Sequence, residues 1–334
     1  MQTDILIIDW SNLVYRAGHA GNTVLKNSNG VVTSTFHYVF RMLETYLKEL
    51  QPGMIILAMD DPDHRYARKT FYPEYKALRG EARKSSKSEE IYSQIQHDKR
   101  VLETLLGSMP VITAFWDTLE ADDVIAWACK YANLQGHKTI VSSDRDMFQL
   151  VNEEVSVYYP GKPARLINLN SWHEHLSAIL KLEPRFVPSP DQFLDYKIMV
   201  GETGASSDNI PGVKGYGSKK AAALLNEHGT IEKAQKHLYD EVASKRELKV
   251  LEKRLFEKES KGIINRNRIL MDLNQYINPD SPGYCERGLH VYRGVWQPEV
   301  LHQRLQEWEL NAVMTGRLFS IFNDLAKANN QVCR

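Results

Sequence analysis

Short unbroken apolar runs alternate with longer amphipathic ones along the first half of the chain. Residues 4–9 (DILIID), 54–60 (MIILAMD) and 139–144 (TIVSSD) are continuous and bounded by polar residues, the pattern of strands buried on both faces. Between them, residues 34–50 (STFHYVFRMLETYLKEL) and 89–107 place apolar side chains at helical spacing, the first with Ser34 or Thr35 as its cap. Residues 120–134 (EADDVIAWACKYANL) are a further predicted helix, ended by Gly136, and residues 111–113 a short extended segment. Pro52-Gly53 marks a turn before the second strand. Strands alternating with helices predict an α/β architecture with a mainly parallel central sheet.

Beyond about residue 190 the pattern changes. Predicted helices cover 191–200, 217–228, 230–238, 240–257 and 300–325, with a Gly-rich stretch from Gly201 to Gly217 between the first two. The expected organisation is an α/β core over residues 1–190 and a mostly helical part over residues 191–334, sharing one body because no clear linker divides them. Residues 61–88 are polar and charged without a clean period, and read as an insertion on the core.

Composition narrows the function classes. Of 334 residues, 43% are hydrophobic and 25% charged, as in ordinary globular proteins. Cys129, Cys285 and Cys333 are odd in number and widely spaced, which predicts neither a disulfide framework nor a zinc site and fits a reducing cytoplasm. The longest apolar run, Met54–Met59, is too short for a bilayer, and Asp4 and Asp9 interrupt the N-terminal run, so neither a membrane span nor a signal peptide is expected. Lys+Arg and Asp+Glu are both 42, a neutral total that at first argues against a nucleic-acid partner. The distribution reverses that inference. Residues 64–100 hold ten basic and five acidic side chains, whereas residues 117–154 hold three basic and eight acidic ones.

The acidic side chains are placed where chemistry is expected. Asp9, Asp60 and Asp144 each follow a predicted strand, and the C-terminal strand ends of an open parallel sheet line one crevice. Glu120, Asp122 and Asp123 open a helix, and Asp146 follows Asp144 by two. Any one of these reads equally well as a turn or cap residue. Together, so many carboxylates repel one another unless cations lie between them, and an all-oxygen donor set suits Mg²⁺ or Mn²⁺ rather than zinc.

Five segments then resemble, in order, one known family. They are LIIDWSNLVYRAGHA (6–20), RYARKTFYPEYKALR (65–79), LEADDVIA (119–126), VSSDRDMFQLV (141–151) and SSDNIPGVKGYGSKKAAALL (206–225). The pattern resembles the 5′→3′ exonuclease and flap endonuclease family, in particular the stand-alone phage type that includes phage RNase H.

The resemblance implies a PIN-like nuclease core over 1–190 with a helical arch over 61–100. It implies a helical C-terminal 5′-3′ exonuclease domain over 191–334 with a helix-three-turn-helix at about 206–228. It also implies hydrolysis of phosphodiester bonds at 5′ ends and flaps with two Mg²⁺, for which Mn²⁺ substitutes. By position, Asp9, Asp60, Glu120 and Asp122 would hold the first ion, Asp144 would lie between the ions, and Asp146 and Asp208 would serve the second. Asp123 would supply supporting hydrogen bonds or join the ligands. Arg68, Lys76 and Arg79 match arch residues that would clamp the scissile phosphate, and Tyr72 and Tyr75 would stack on a base. Gly212, Lys214, Gly215, Gly217, Ser218, Lys219 and Lys220 would hold the duplex backbone, with K⁺ bound by carbonyls of the same turn. The implied partners are DNA and RNA–DNA hybrids with 5′ single strands, in primer removal during replication or in repair. A single-strand-binding protein or a sliding clamp is a further expected partner, and the expected state is a monomer in the cytoplasm of a bacterial or phage-infected cell.

One block departs from the family pattern GDxxDN. Here Gly201 is followed by Glu202, Thr203, Gly204, Ala205, Ser206, Ser207 and then Asp208-Asn209. Counting back three from Asp208 gives Ala205, which cannot bind a cation. Glu202 follows the expected glycine and is one methylene longer than aspartate, so it is the candidate replacement; the alternative is a solvated loop residue. The departure keeps two other readings open: a DNA-junction binding protein with weakened catalysis, and another PIN-like nuclease acting on RNA.

Overall fold

The computed structural model describes residues 3–21, 24–82, 86–204, 207–244, 246–280 and 288–332. The chain opens with β1 (Ile5–Asp9), α1 (Trp10–Gly18), α2 (Ser34–Leu50) and β2 (Met54–Met59). Next come α3 (Ala67–Phe71), α4 (Ala77–Ala82), α5 (Ser86–Leu106), β3 (Ile112–Trp116) and α6 (Ala121–Lys130). Then follow β4 (Lys138–Val141), β5 (Val155–Tyr159), β6 (Arg165–Ile167) and α7 (Trp172–Leu180). The helical part contains α8 (Phe193–Val200), the two-residue strands β7 (Gly201–Glu202) and β8 (Ile210–Pro211), α9 (Ser218–His228), α10 (Ile231–Ala243), α11 (Val250–Arg254) and α12 (Lys258–Met271). Finally come β9 (Leu289–Arg293), α13 (Pro298–Glu307), α14 (Asn311–Met314) and α15 (Leu318–Val332).

Among the described residues one sheet runs in the order β6-β5-β4-β1-β2-β3-β9. Its centre is parallel, with Ile7 opposite both Ile56 and Ile140, and the flanking β6 and β9 are antiparallel. The chain winds from β1 through β2 to β3 on one side, then returns to β4 on the other, so the strand order reverses between β1 and β4. That reversal is the crevice where ligands of open α/β sheets bind. β1 is buried along its whole length, and its side chains alternate between two cores. Ile5 and Ile7 join α6 and the helical part, including Leu225 and Leu270; Leu6 and Ile8 join α1, α2 and α5. Each such aliphatic side chain contributes about 1.5–3 kcal/mol by leaving water, which makes β1 the anchor of both layers.

The α/β architecture with a mainly parallel sheet is present, and α2 has the predicted limits. It ends on Gln51 in the left-handed region (φ 46°) ahead of Pro52, a sharp helix stop. Its N-cap is Thr33, however, and the Ser34 hydroxyl instead accepts a hydrogen bond from the Leu25 amide at 2.7 Å.

Three expectations change. The helix expected over 240–257 is broken, because α10 stops at Ala243 and only Val250–Arg254 resumes as helix. The helix expected over 300–325 is divided into α13, α14 and α15; Glu309 at φ 57° turns the chain after the first. The C-terminal residues are not simply an extension of the helical part. β9 pairs with β3, Arg293 opposite Ile112, and Leu301, Val313 and Phe322 join the core beneath α2. Among the described residues, no helix is long and apolar enough to cross a membrane.

Candidate active site

Three strand ends meet at the reversal of strand order. Asp9 ends β1 and caps α1, its Oδ1 accepting from the Asn12 amide at 2.9 Å and its Oδ2 from the Ser142 hydroxyl at 3.1 Å. Asp60 follows β2; its Oδ1 accepts from the Ala121 amide at 3.1 Å, tying it to the start of α6, and Ser11 donates to its Oδ2 at 2.5 Å. Asp144 follows β4 and caps a short 3₁₀ turn, Arg145–Leu150, by accepting from the Asp146 amide at 2.8 Å. Local hydrogen bonds explain aspartate at two of these strand ends, where the short carboxylates of Asp9 and Asp144 start the next turn, whereas Asp60 is held by partners distant in sequence.

The start of α6 adds Glu120 at the N-cap and Asp122 and Asp123 in the first turn. Glu120 is 4% exposed and is held by Lys76, by the Tyr75 hydroxyl at 2.8 Å and by Arg68 at 3.4 Å. Burial raises its pKa, but Lys76 and Arg68 outweigh burial and bring the carboxyl down to about 2. For Asp122 the balance goes the other way: burial, then repulsion from Asp144, Asp9 and Glu120, outweighs the pull of Lys76 and raises it well above the ordinary carboxylate range. Asp9 is pushed up to about 7 by burial, reinforced by Asp60 and Asp144 and opposed by its amide and hydroxyl donors. Asp146 rises to about 8, with burial first and Glu202 and Asp144 behind it, against the pull of Lys197.

The donors are thus carboxylate oxygens only, a chemistry that fits a hard divalent cation. Among the described residues, no three His, Cys, Asp or Glu side chains are already gathered around one ion position. Lys76 stands against Glu120, Arg79 against Asp208, and Lys197 against Asp146 and Glu202. Asp9 and Asp122 retain the mutual repulsion that a cation would relieve. A stability consequence follows between about pH 5 and pH 8. Asp9 and Asp146 hold protons in the folded chain that the unfolded chain has already lost, so ν_U − ν_N is negative, and stability falls as pH rises above the ordinary carboxylate range and levels off once the two groups ionise at about 7 and about 8. The slope is at most about 1.4 kcal/mol per pH unit for each carboxylate. Thermal melts in chelator should therefore fall across this window, and melts in Mg²⁺ should not; equal slopes would remove the case for cation binding at these groups.

Residues of the 61–100 insertion close over the carboxylates. Asp208 is 8% exposed and receives Arg79 and the Tyr75 hydroxyl, the latter at 2.9 Å. The Tyr75 hydroxyl thereby bridges Glu120 and Asp208. Two expectations for this segment are corrected. Arg68 is not available to a phosphate: it is 3% exposed, its guanidinium forks onto Asp123 at 2.5 and 2.7 Å, and its Nε donates to the Leu270 carbonyl at 2.8 Å. Tyr75 is 3% exposed, so its ring packs in the protein rather than offering a face to a base. Tyr72 is half-buried with the Arg266 guanidinium 4.9 Å above its ring. Asp123 is fully buried, taking the Arg68 fork and the Glu120 amide at 3.1 Å.

The Gly-rich turn precedes α9. Lys214, Gly215, Gly217, Lys219 and Lys220 are exposed, and a cavity of about 480 Å³ is lined by all of these but Lys214, together with Lys181 at the end of α7. Gly217 is the N-cap of α9, and Ser218 is its first residue. Lys219 also meets Glu183 at 3.3 Å. Gly212 has a different reason to be glycine than a close approach to phosphate: a Cβ there would lie 2.2 Å from the Val200 carbonyl oxygen. Glu202, in β7, reaches Lys197 beside Asp146, whereas Asp208 faces the insertion. Ala205 lies outside the described residues.

Lys197 escaped the sequence reading. Its signal was a lone lysine inside the apolar run FLDYKIMV, and in the structure it is 7% exposed. Ser11, Asn12 and Ser142, which hold Asp60, the β4 end and Asp9, were equally unmarked, because serines and asparagines after strands are common turn residues.

Residues 4–177 match the family described as 5′-3′ exonuclease, N-terminal resolvase-like domain, and residues 188–280 the 5′-3′ exonuclease, C-terminal SAM fold. The DNA polymerase I of Treponema pallidum is 33% identical over 239 residues, covering 70% of this chain. The chain spans only 22% of that polymerase. The 5′-3′ exonuclease of Aquifex aeolicus is 29% identical over 234 residues, 70% of this chain and 72% of that protein. The bacteriophage T5 flap endonuclease, solved as a pseudo-enzyme–product complex with DNA and metal ions, superposes with a TM-score of 0.63 at 21% identity, covering 97% of this chain and 98% of that one. T5 5′-exonuclease with bound zinc superposes with a TM-score of 0.62 at 23% identity, covering 81% and 89%. These two structures share the fold. With both halves matched in order, the chain belongs to the 5′-3′ exonuclease family, hydrolases that act on DNA phosphodiester bonds.

Proposed function

We propose that the chain is a divalent-cation-dependent, structure-specific 5′ nuclease that cleaves phosphodiester bonds at 5′ ends and flaps of duplex DNA or RNA–DNA hybrids, in primer removal or repair. The observation that carries this reading is the meeting of Asp9, Asp60, Glu120, Asp122, Asp144, Asp146 and Asp208 at one end of the sheet, faced by Lys76 and Arg79. Asp9, Asp60, Glu120 and Asp122 would hold one Mg²⁺ or Mn²⁺, Asp146, Asp208 and Glu202 a second, with Asp144 between them. Bound there, such ions activate a water and stabilise the departing oxygen of an in-line displacement.

The protein's own side chains supply the rest. Lys76 and Arg79 already lie at the carboxylates, and a scissile phosphate entering the crevice offers them oxygens in exchange for Glu120 and Asp208. Their charge then opposes the negative charge that builds on the phosphate. Lys214, Lys219, Lys220 and the amides at the start of α9 would take backbone phosphates of the duplex, a contact blind to sequence and weakened by salt. K⁺ at carbonyls of the same turn would add to that grip.

The test is a 5′-labelled flap and a matched RNA–DNA hybrid, each incubated with Mg²⁺ and with chelator. Cleavage of either substrate near the junction in Mg²⁺ alone is expected. Tight flap binding without cleavage in Mg²⁺ or Mn²⁺ would overturn the nuclease reading in favour of a junction-binding protein.

A further inference from the structure

Lys197 has no part in the reading above, yet it is the buried cation of the second carboxylate group. It projects from α8 with its side chain 8% exposed, between Asp146 (13%) and Glu202 (28%), and its ammonium contacts both. The backbone fixes this triad. Gly201 turns the chain at φ 69° directly after α8, bringing Glu202 back beside Lys197. A Cβ at Gly201 would lie 2.2 Å from the Gly212 amide nitrogen, so β7 and β8 hold this turn by close backbone contact. The pair of carboxylates is therefore assembled around an ammonium supplied by the protein itself.

Resting on the metal reading above, we infer that Lys197 is the resident counter-cation of the Asp146–Glu202 pair, and that a divalent ion enters this pair only as the ammonium leaves it. The ammonium already holds one oxygen of each carboxylate, Asp146 Oδ1 and Glu202 Oε1, so an ion bridging the same pair would stand against a second positive charge. Two cations cannot share the same oxygens at contact distance without strong repulsion. Lysine suits the exchange because it is a point charge on a flexible stem, whereas a forked guanidinium would be locked in place. The replacement of the family's aspartate spacing by Glu202 thus leaves a second ion site whose affinity is set by competition with Lys197, separate from the first site at Asp9, Asp60, Glu120 and Asp122.

The experiment is a Mn²⁺ titration of the full chain without DNA, with free Mn²⁺ read by electron paramagnetic resonance. Wild type is expected to bind one ion tightly and a second weakly. Lys197→Met should tighten the second ion by about tenfold or more and leave the first unchanged. Glu202→Gln, which keeps the lysine and removes a charged donor, should weaken the second ion alone; it also serves if Lys197→Met fails to fold. A second-ion affinity unchanged or weakened by Lys197→Met, or unchanged by Glu202→Gln, overturns the role given to Lys197. Absence of any Mn²⁺ binding to wild type overturns the metal reading itself, a distinct outcome.

Discussion

Asp144→Ala should lower the rate of flap cleavage by about 10³-fold or more, the scale on which losing a single charge-stabilising group acts in active sites. Asp144 stands at the end of β4, where the strand order reverses, and its charge is felt by Asp9, Asp122 and Asp146. It also caps the 3₁₀ turn that places Asp146. Its loss therefore removes the carboxylate common to both proposed ion sites and loosens one ligand of the second. Stability should not fall with activity, because removing one of several mutually repelling anions relieves the others. Flap affinity in chelator should also persist, since the lysines proposed to take the duplex phosphates lie on α9 and the turn before it. Asp144→Asn separates charge from shape: its amide oxygen can still accept from Asp146, yet its activity should fall as far as that of the alanine variant. Single-turnover cleavage near the wild-type rate in either variant would show that the reaction does not run through this carboxylate.

Arg68→Ala should destabilise the protein by about 3–5 kcal/mol, the cost of leaving one member of a buried ion pair alone. Asp123 is fully buried and would lose both bonds of the Arg68 fork, while Glu120 would lose a neighbouring positive charge. The Leu270 carbonyl would lose its donor, and the Tyr276 ring the guanidinium 5.0 Å from its centre. Arg68→Lys should recover little, because an ammonium cannot form two parallel bonds to a carboxylate. Denaturant unfolding gives the test, with a loss under about 1 kcal/mol, the value of an exposed pair, contradicting the brace. The salt dependence of flap binding by the folded variant should match that of wild type. A weaker dependence would return Arg68 to phosphate contact.

The sequence made the central sheet legible because β1 and β2 carry unbroken apolar runs and β4 ends in a β-branched one, and the limits of α2 followed from its period. It concealed β9, whose residues LHVYR are half-exposed and carry no buried-strand pattern. Strand ends marked Asp9, Asp60 and Asp144 because a carboxylate after an apolar run is visible in one dimension. What a basic side chain does there is not visible. Arg68 and Lys76 are neighbours in the same charged segment, yet one is an internal brace and the other lies at the mouth of the crevice. Burial separates them, and burial of a polar residue depends on partners distant in sequence, such as Leu270 for Arg68. Lys197 was hidden for the same reason: its partners Asp146 and Glu202 come together only when α8 docks against the 3₁₀ turn.

The pairing of Ile112 with Arg293 carries a consequence for how the molecule is made. During synthesis the strands that precede the candidate metal-binding aspartates leave the ribosome early, but β3 remains a bare sheet edge until β9 emerges. The core around α2 that Leu301, Val313 and Phe322 complete stays open over the same interval. Such far-separated pairings form slowly, and an unpaired edge beside uncovered apolar surface invites association with other chains. The nascent chain is thus expected to be most prone to aggregation after its active-site residues are made and before its last helices are, so a ribosome stalled in that window should show strong chaperone occupancy.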